Sequence, residues 1–218
     1  MTNAQDIPLA ELRPRLIEAM LKHVPFDGWS AAARDAGADE AGIDRDIAAL
    51  ALPDAASMTE AYTARADARM AEAMAAAGVG AMKIRERIKL ALVTRLEQAA
   101  DDKEAVRRAL AVMAMPAHAT LGLQTLWRTA DAMWRAAGDT ATDANHYTKR
   151  MTLGAVYSAV LLYWLDDDSE DMADTRAFIE RRIEDVMRIE KAKAGVRQVM
   201  AKLPDPARFL GRLRYPVS

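Results

Sequence analysis

The chain has 218 residues, 51% of them hydrophobic but only 6% aromatic, and its 30 lysines and arginines against 32 aspartates and glutamates give a net charge of −2. Such a length supports one sizeable core plus a small appendage. The lack of any cysteine excludes disulfides, thiolate nucleophiles and cysteine-type zinc sites, and sparse glycine and proline favour helices from end to end.

In chain order, Leu9 to Val24 spaces Leu12, Leu16, Ala19 or Met20, and His23 along one helical face. Pro25 to Trp29 reads as a turn, and Ser30 caps a short helix that ends near Gly37. Asp39 is the expected cap of a third helix through Ile43, Ile47 and Leu50, stopped by Pro53. Three short helices with a glycine between the second and third have the layout of a helix-turn-helix, similar to the N-terminal domain of TetR-type regulators. After a joint at Pro53 to Ser57, a helix is expected from about Met58 to Ala77, ended by Gly78 and Gly80. Met82 to Ala99 is amphipathic, with Ile84, Ile88, Leu92 and Leu96 every fourth residue. Further helices are expected over Lys103 to Met115, Thr120 to Ala137, His146 to Leu165, and Asp171 to about Lys191. Gly138 and Asp139 break the run after Trp134, and Thr142 or Asp143 caps the helix that begins near His146.

The N-terminus meets Asp6, Pro8 and Glu11 before an apolar stretch builds, so no secretory signal is expected. The longest near-continuous apolar run, Leu153 to Leu165, falls short of the ~20 residues a membrane-spanning helix needs and reads as a buried helix. Residues 187–218 hold 8 basic and 2 acidic side chains, net +6, whereas residues 1–80 hold 7 and 13, net −6. Beside the tail's Arg208, Arg212 and Arg214 lie Phe209, Leu210, Leu213 and Tyr215. That composition suits a helix in a membrane interface.

Catalytic signatures are missing. His23, His118 and His146 lie far apart, and Asp143-x-x-His146 is a single pair where a di-iron bundle needs two such motifs and two further glutamates. No metal site or cofactor is expected. Neither a nucleophile elbow nor a phosphate-cradling glycine loop occurs, and the acids at Asp101-Asp102 and Asp166 to Asp168 read as solvated helix ends. The chain is therefore expected not to be an enzyme. Nucleic acid is also disfavoured: Asp39 to Leu50, the recognition segment, holds Asp39, Glu40, Asp44 and Asp46 against Arg45, and such a surface repels phosphates.

Two positive readings remain. Aliphatic and methionine side chains, including Ile88, Leu92, Met113, Leu126, Met151 and Leu161, line the inward faces of several helices; spacing alone leaves a packed core and a lipid tunnel both open. Met133 to Arg150, MWRAAGDTATDANHYTKR, is unusually rich in aromatic and charged residues for a loop. Asp131, Met133, Tyr147 and Arg150 are expected to share one exposed ridge, of the composition that anchors interfaces, although a plain helical corner fits the spacing equally.

Met133 to Arg150 resembles the corresponding stretch of the Coq-nine family of ubiquinone-biosynthesis accessory proteins. The resemblance extends to Val24-Pro25-x-x-Gly28-Trp29, Lys83 to Leu96, Met115-Pro116-x-His118, and Asp174-Thr175-Arg176-x-Phe178-Ile179-Glu180-x-Arg182. It implies an all-α, TetR-like bundle that has lost DNA binding, binds isoprenoid quinone intermediates or phospholipid, and presents them to the demethoxyubiquinone hydroxylase. It also implies membrane attachment through a C-terminal amphipathic helix bearing Arg208, Phe209, Leu210, Arg212 and Leu213. The family's partner-facing patch falls on Asp131, Met133, Asp143, His146, Tyr147 and Arg150. One departure is His146, a position often tryptophan in that family, which reduces the aromatic anchor.

The expected organisation is a degenerate helix-turn-helix over 1–55, a helical lipid-binding domain over 56–191 and a basic tail over 192–218. Without a mitochondrial presequence, the resemblance implies a bacterial protein, peripheral at the cytoplasmic face of the inner membrane, and TetR-like proteins commonly form homodimers. The alternative is a TetR-type ligand-responsive repressor.

Overall fold

A computed structural model describes residues 8–140 and 144–202. These form ten α-helices with no strand among the described residues: α1 (Leu9–Met20), α2 (Val24–Asp27), α3 (Ala31–Ala41), α4 (Arg45–Ala51), α5 (Ala55–Ala76), α6 (Ile84–Glu97), α7 (Lys103–Met113), α8 (Ala119–Ala136), α9 (Ala144–Leu165) and α10 (Ala173–Lys202). The all-α expectation holds. By contacts the chain divides into two compact units, residues 1–179 and 180–218. In the described part of the second, ion pairs such as Arg188–Asp185 and Lys193–Glu190 lie one helical turn apart on α10.

The first four helices pack as the hydrophobic spacing of α1 requires: Leu12, Leu16, Ile17 and Met20 are fully buried, and α1 lies against α3, α4 and α5. Two punctuation marks differ from expectation. Gly37 does not end α3 but lets it approach α1, since a Cβ there would lie 2.8 Å from Met20 Cγ and 2.9 Å from its backbone nitrogen. Gly42, at φ 65°, ends α3 in the left-handed region that glycine reaches without steric cost. Asp44 rather than Asp39 caps α4, its carboxylate accepting from the Asp46 and Ile47 amides. Residues 25–27, expected as a turn, belong to the one-turn helix α2 with Pro25 near its start, where proline's missing N–H costs nothing.

Helix α5 starts three residues earlier than expected because Asp54 and Ser57 form a reciprocal cap. It is the central strut, packing on α1, α6, α7 and α8. Trp29 docks the N-terminal helices onto this bundle: its Nε1–H donates to the Ala105 carbonyl at 3.0 Å, and its ring lies 5.2 Å from that of Tyr62 on α5. Helices α8 and α9 form an antiparallel pair, and α8 ends at Gly138 with φ 83°. Among the acids expected as solvated helix ends, Asp167 is buried. It accepts from the Ser169 and Thr175 amides at 2.8 Å each and from both hydroxyls, fixing the turn into α10. No single helix among the described residues is long and apolar enough to cross a membrane.

Candidate ligand-binding cavity

Helices α5 to α9 do not close completely on one another. Between them lies a cavity of about 490 Å³, within the ~300–1,000 Å³ typical of small-molecule sites. Its walls are apolar, from Leu96, Val106, Leu110, Met113, Leu126 and Leu161. At its outer edge stand Leu123 and Leu162, 70% and 61% exposed. Gly122 lets α8 approach the end of α7 closely, since a Cβ there would sit 3.1 Å from the Met113 carbonyl oxygen.

The inner end is polar. Arg95, 4% exposed, donates Nε–H to Asp67 Oδ1 at 3.1 Å, and the other carboxylate oxygen accepts from Thr129 Oγ1 at 2.9 Å. Burial pushes the Asp67 carboxyl upward against the pull of Arg95 and Thr129. The phenols of Tyr62 and Tyr157 line the same end. Burial raises both well above the ordinary range, outweighing the nearby Arg95 charge, so both keep their protons at neutral pH.

Of the six residues expected to contact lipid, Met113, Leu126 and Leu161 line the cavity. Ile88 and Leu92 are buried on α6 but outside its lining; the lining residues of that helix are Arg95 and Leu96, a turn farther along. Met151 is 68% exposed, because it lies four residues after Tyr147 on the outer face of α9. Sequence reasoning missed Tyr62, Arg95, Thr129 and Tyr157: a polar residue in an apolar stripe looks like a helix's wet face until its neighbours are known.

The expected ridge is redrawn in the same way. Tyr147 is 62% exposed, and its ring lies 5.9 Å from Trp127 and 5.2 Å from His146. Leu123 and Trp127 on α8 stand beside Tyr147 and Met151 on α9 to form an apolar outer face, both pairs being four residues apart. Leu123 and Trp127 also line a shallow groove there. Met133 and Arg150, expected on the surface, are buried at 0% and 2% exposure. The reason for Arg150 is electrostatic. Its guanidinium bonds Asp131 at 2.5 Å, Asp139 at 3.2 Å and the His146 carbonyl at 3.1 Å, and so clamps α8 to α9. Asp131 also pairs with Arg135, and Asp139 with Lys149. Asp143 and the tail residues Arg208, Phe209, Leu210, Arg212 and Leu213 lie outside the described residues. Among the described residues no group of three or more potential ligands is placed to hold a metal ion.

An all-α bundle with a short-helix head and a ligand-sized hole in its larger part is a TetR-like architecture. A TetR transcriptional regulator from Nitrosomonas europaea shares it, with a TM-score of 0.64 over 80% of this chain and 97% of that one, at 19% identity. Within that class, residues 119–190 match the family model described as COQ9, the Coq-nine family. The chain is 30% identical over 184 residues to human "Ubiquinone biosynthesis protein COQ9, mitochondrial", covering 81% of this chain and 58% of that protein. To the protein of the same name from Drosophila melanogaster it is 24% identical over 192 residues, covering 86% and 59%. The chain is thus similar in sequence to COQ9 proteins and has a TetR-like fold, and it spans under two thirds of the length of these curated relatives.

Proposed function

We propose that the protein is a non-catalytic accessory of ubiquinone biosynthesis that binds isoprenoid quinone intermediates in the α5–α9 cavity and presents them to the demethoxyubiquinone hydroxylase. The relatives' names support the pathway. The observation that carries the binding and hand-over is Leu123, which lines both the cavity and the groove beside Trp127. Ligand and partner would thus meet at one place, on the aromatic face of α8 and α9. The basic, apolar tail would hold the protein, as a homodimer, at the surface of the bacterial inner membrane that contains the substrate.

DNA binding gains no support from the first four helices. Asp39 accepts from two of the three guanidinium nitrogens of Arg45, Nε and Nη2, so the base of the recognition segment is already neutralised, while Asp44 and Asp46 remain exposed.

Organic extraction of the purified full chain, followed by mass spectrometry, tests the reading. Prenylated quinones or their precursors are expected in the extract, and capture of the hydroxylase by the parent protein but not by Trp127→Ala is expected alongside. A ligand-free protein that ignores both added quinone and hydroxylase would refute it.

A further inference from the structure

The inner end of the cavity carries hydrogen-bond donors that the fold itself does not use. Arg95 spends only Nε–H on Asp67; its terminal nitrogens have no partner among the described residues, nor do the hydroxyls of Tyr62 and Tyr157. All three side chains are at least 94% buried, at 4%, 4% and 6% exposure, and all line the cavity. Asp67 has no oxygen to spare, one being given to Arg95 and the other to Thr129. The guanidinium and the two phenols therefore offer unpaired N–H and O–H groups to the cavity, and no carboxylate oxygen of Asp67 is left to take them.

Charge restricts what fits there. Arg95 and Asp67 neutralise each other, so an anion brought to this end would introduce an unbalanced buried charge, which is costly. A hydrocarbon chain would leave the guanidinium and both phenols without acceptors, and unmet buried donors are also costly. An uncharged group with several oxygens meets both conditions.

We propose that the cavity takes its amphiphile head first: a neutral oxygen-bearing ring, of the quinone or alkoxyphenol class, accepts hydrogen bonds from Arg95, Tyr62 and Tyr157, while its chain leaves past Leu123 and Leu162. The proposal rests on the lipid-binding function proposed for this cavity and deepens it. A partner docked on the Trp127–Tyr147 face would meet the chain before the ring, so the bound state shelters the ring and hand-over requires drawing it outward.

Calorimetric titration of the full chain tests this, with three probes: a dimethoxy-methyl-benzoquinone bearing a ten-carbon chain, decylbenzene, and decanoate. Tyr62→Phe and Tyr157→Phe each remove one unpartnered hydroxyl without changing shape, and thermal unfolding verifies that the fold is kept. Each is expected to weaken the quinone about three- to tenfold and leave decylbenzene unchanged. Unchanged quinone affinity in the double variant would overturn the head-first assignment, because the ring would then sit elsewhere. Loss of decanoate rather than quinone binding would overturn the neutral-head assignment. Binding of none of the three by the parent protein would overturn the lipid-binding reading itself.

Discussion

Replacing Arg150 by alanine tests whether the corner between α8 and α9 is held by a buried charge network or presented as an interface. The guanidinium is 2% exposed and lies between Asp131 and Asp139, whose side chains are 19% and 7% exposed. Removing one partner of a buried ion pair typically costs about 3–5 kcal/mol, because the remaining charge is stranded. Here each carboxylate keeps a second cation, Arg135 at 2.8 Å and Lys149 at 2.7 Å, which sets the expectation at the lower end, about 3 kcal/mol. For a chain of this size each kcal/mol corresponds to about 2–4 °C, so Arg150→Ala should lower Tm by about 6–12 °C. Tyr147→Ala, at an exposed site, should move it by no more than about 2 °C yet cost roughly tenfold or more in hydroxylase affinity if the aromatic face is the docking surface. Circular dichroism at 222 nm measures the first effect and partner capture the second. An Arg150→Ala protein that melts within a degree of the parent would refute the clamp. Loss of partner binding in Arg150→Ala alone identifies no contact, since the corner itself would have moved.

Three further outcomes are expected. Leu161→Glu places a charge in the cavity wall and should abolish quinone co-purification, whereas Leu123→Glu at the exposed edge should weaken it with little change in Tm; equal lipid recovery from both would move the site elsewhere. Asp167→Asn should cost about 1–3 kcal/mol through loss of charge-assisted bonds. Desolvation raises the Asp167 carboxyl, but bonds from Ser169 and Thr175 outweigh it and hold the folded value below the ordinary carboxylate range. The stability it contributes is therefore complete above about pH 4 and is lost as pH falls through the depressed value, so denaturation series should show parent and variant differing constantly at pH 5–8 and converging in acid. Truncation after Ala192 should abolish salt-sensitive sedimentation with anionic liposomes while leaving thermal unfolding little changed; undiminished sedimentation would place the membrane surface elsewhere.

Most of the helical plan was legible because its signals are local. Leu12 and Leu16 bury as their spacing requires, Ser30 caps α3 through the Ala33 amide, and Gly138 ends α8. The misreadings came from residues whose role is set by a neighbour distant in sequence. Gly37 is a packing contact because Met20 sits against it, and Asp167 is buried because Thr175 and Ser169 turn toward it. Arg150 looked like a surface anchor because arginine usually is one; its burial depends on Asp131, 19 residues away. The polar end of the cavity is illegible in the sequence for the same reason, since Asp67, Arg95 and Thr129 come from three different helices and acquire their meaning only together.

Helix α8 connects these observations. On one side Gly122, Thr125, Leu126 and Thr129 face the cavity; on the other Gln124, Trp127 and Arg128 line the outer groove, and Leu123 belongs to both. A rigid element with two such faces transmits a small rotation directly, because packed side chains move together rather than deform. Two charge networks constrain that rotation. Thr129 is tied to the Asp67–Arg95 pair at the cavity's inner end, and Asp131, two residues on, is tied to Arg150 and α9. A partner pressing on Trp127 and Tyr147 would therefore load the segment that closes the cavity. Coupling between the two sites is the expected outcome: saturating hydroxylase should change quinone affinity, and by linkage quinone should change hydroxylase affinity by the same factor. Equal quinone affinities with and without the hydroxylase, measured on the full chain, would show that α8 holds the two sites side by side without connecting them.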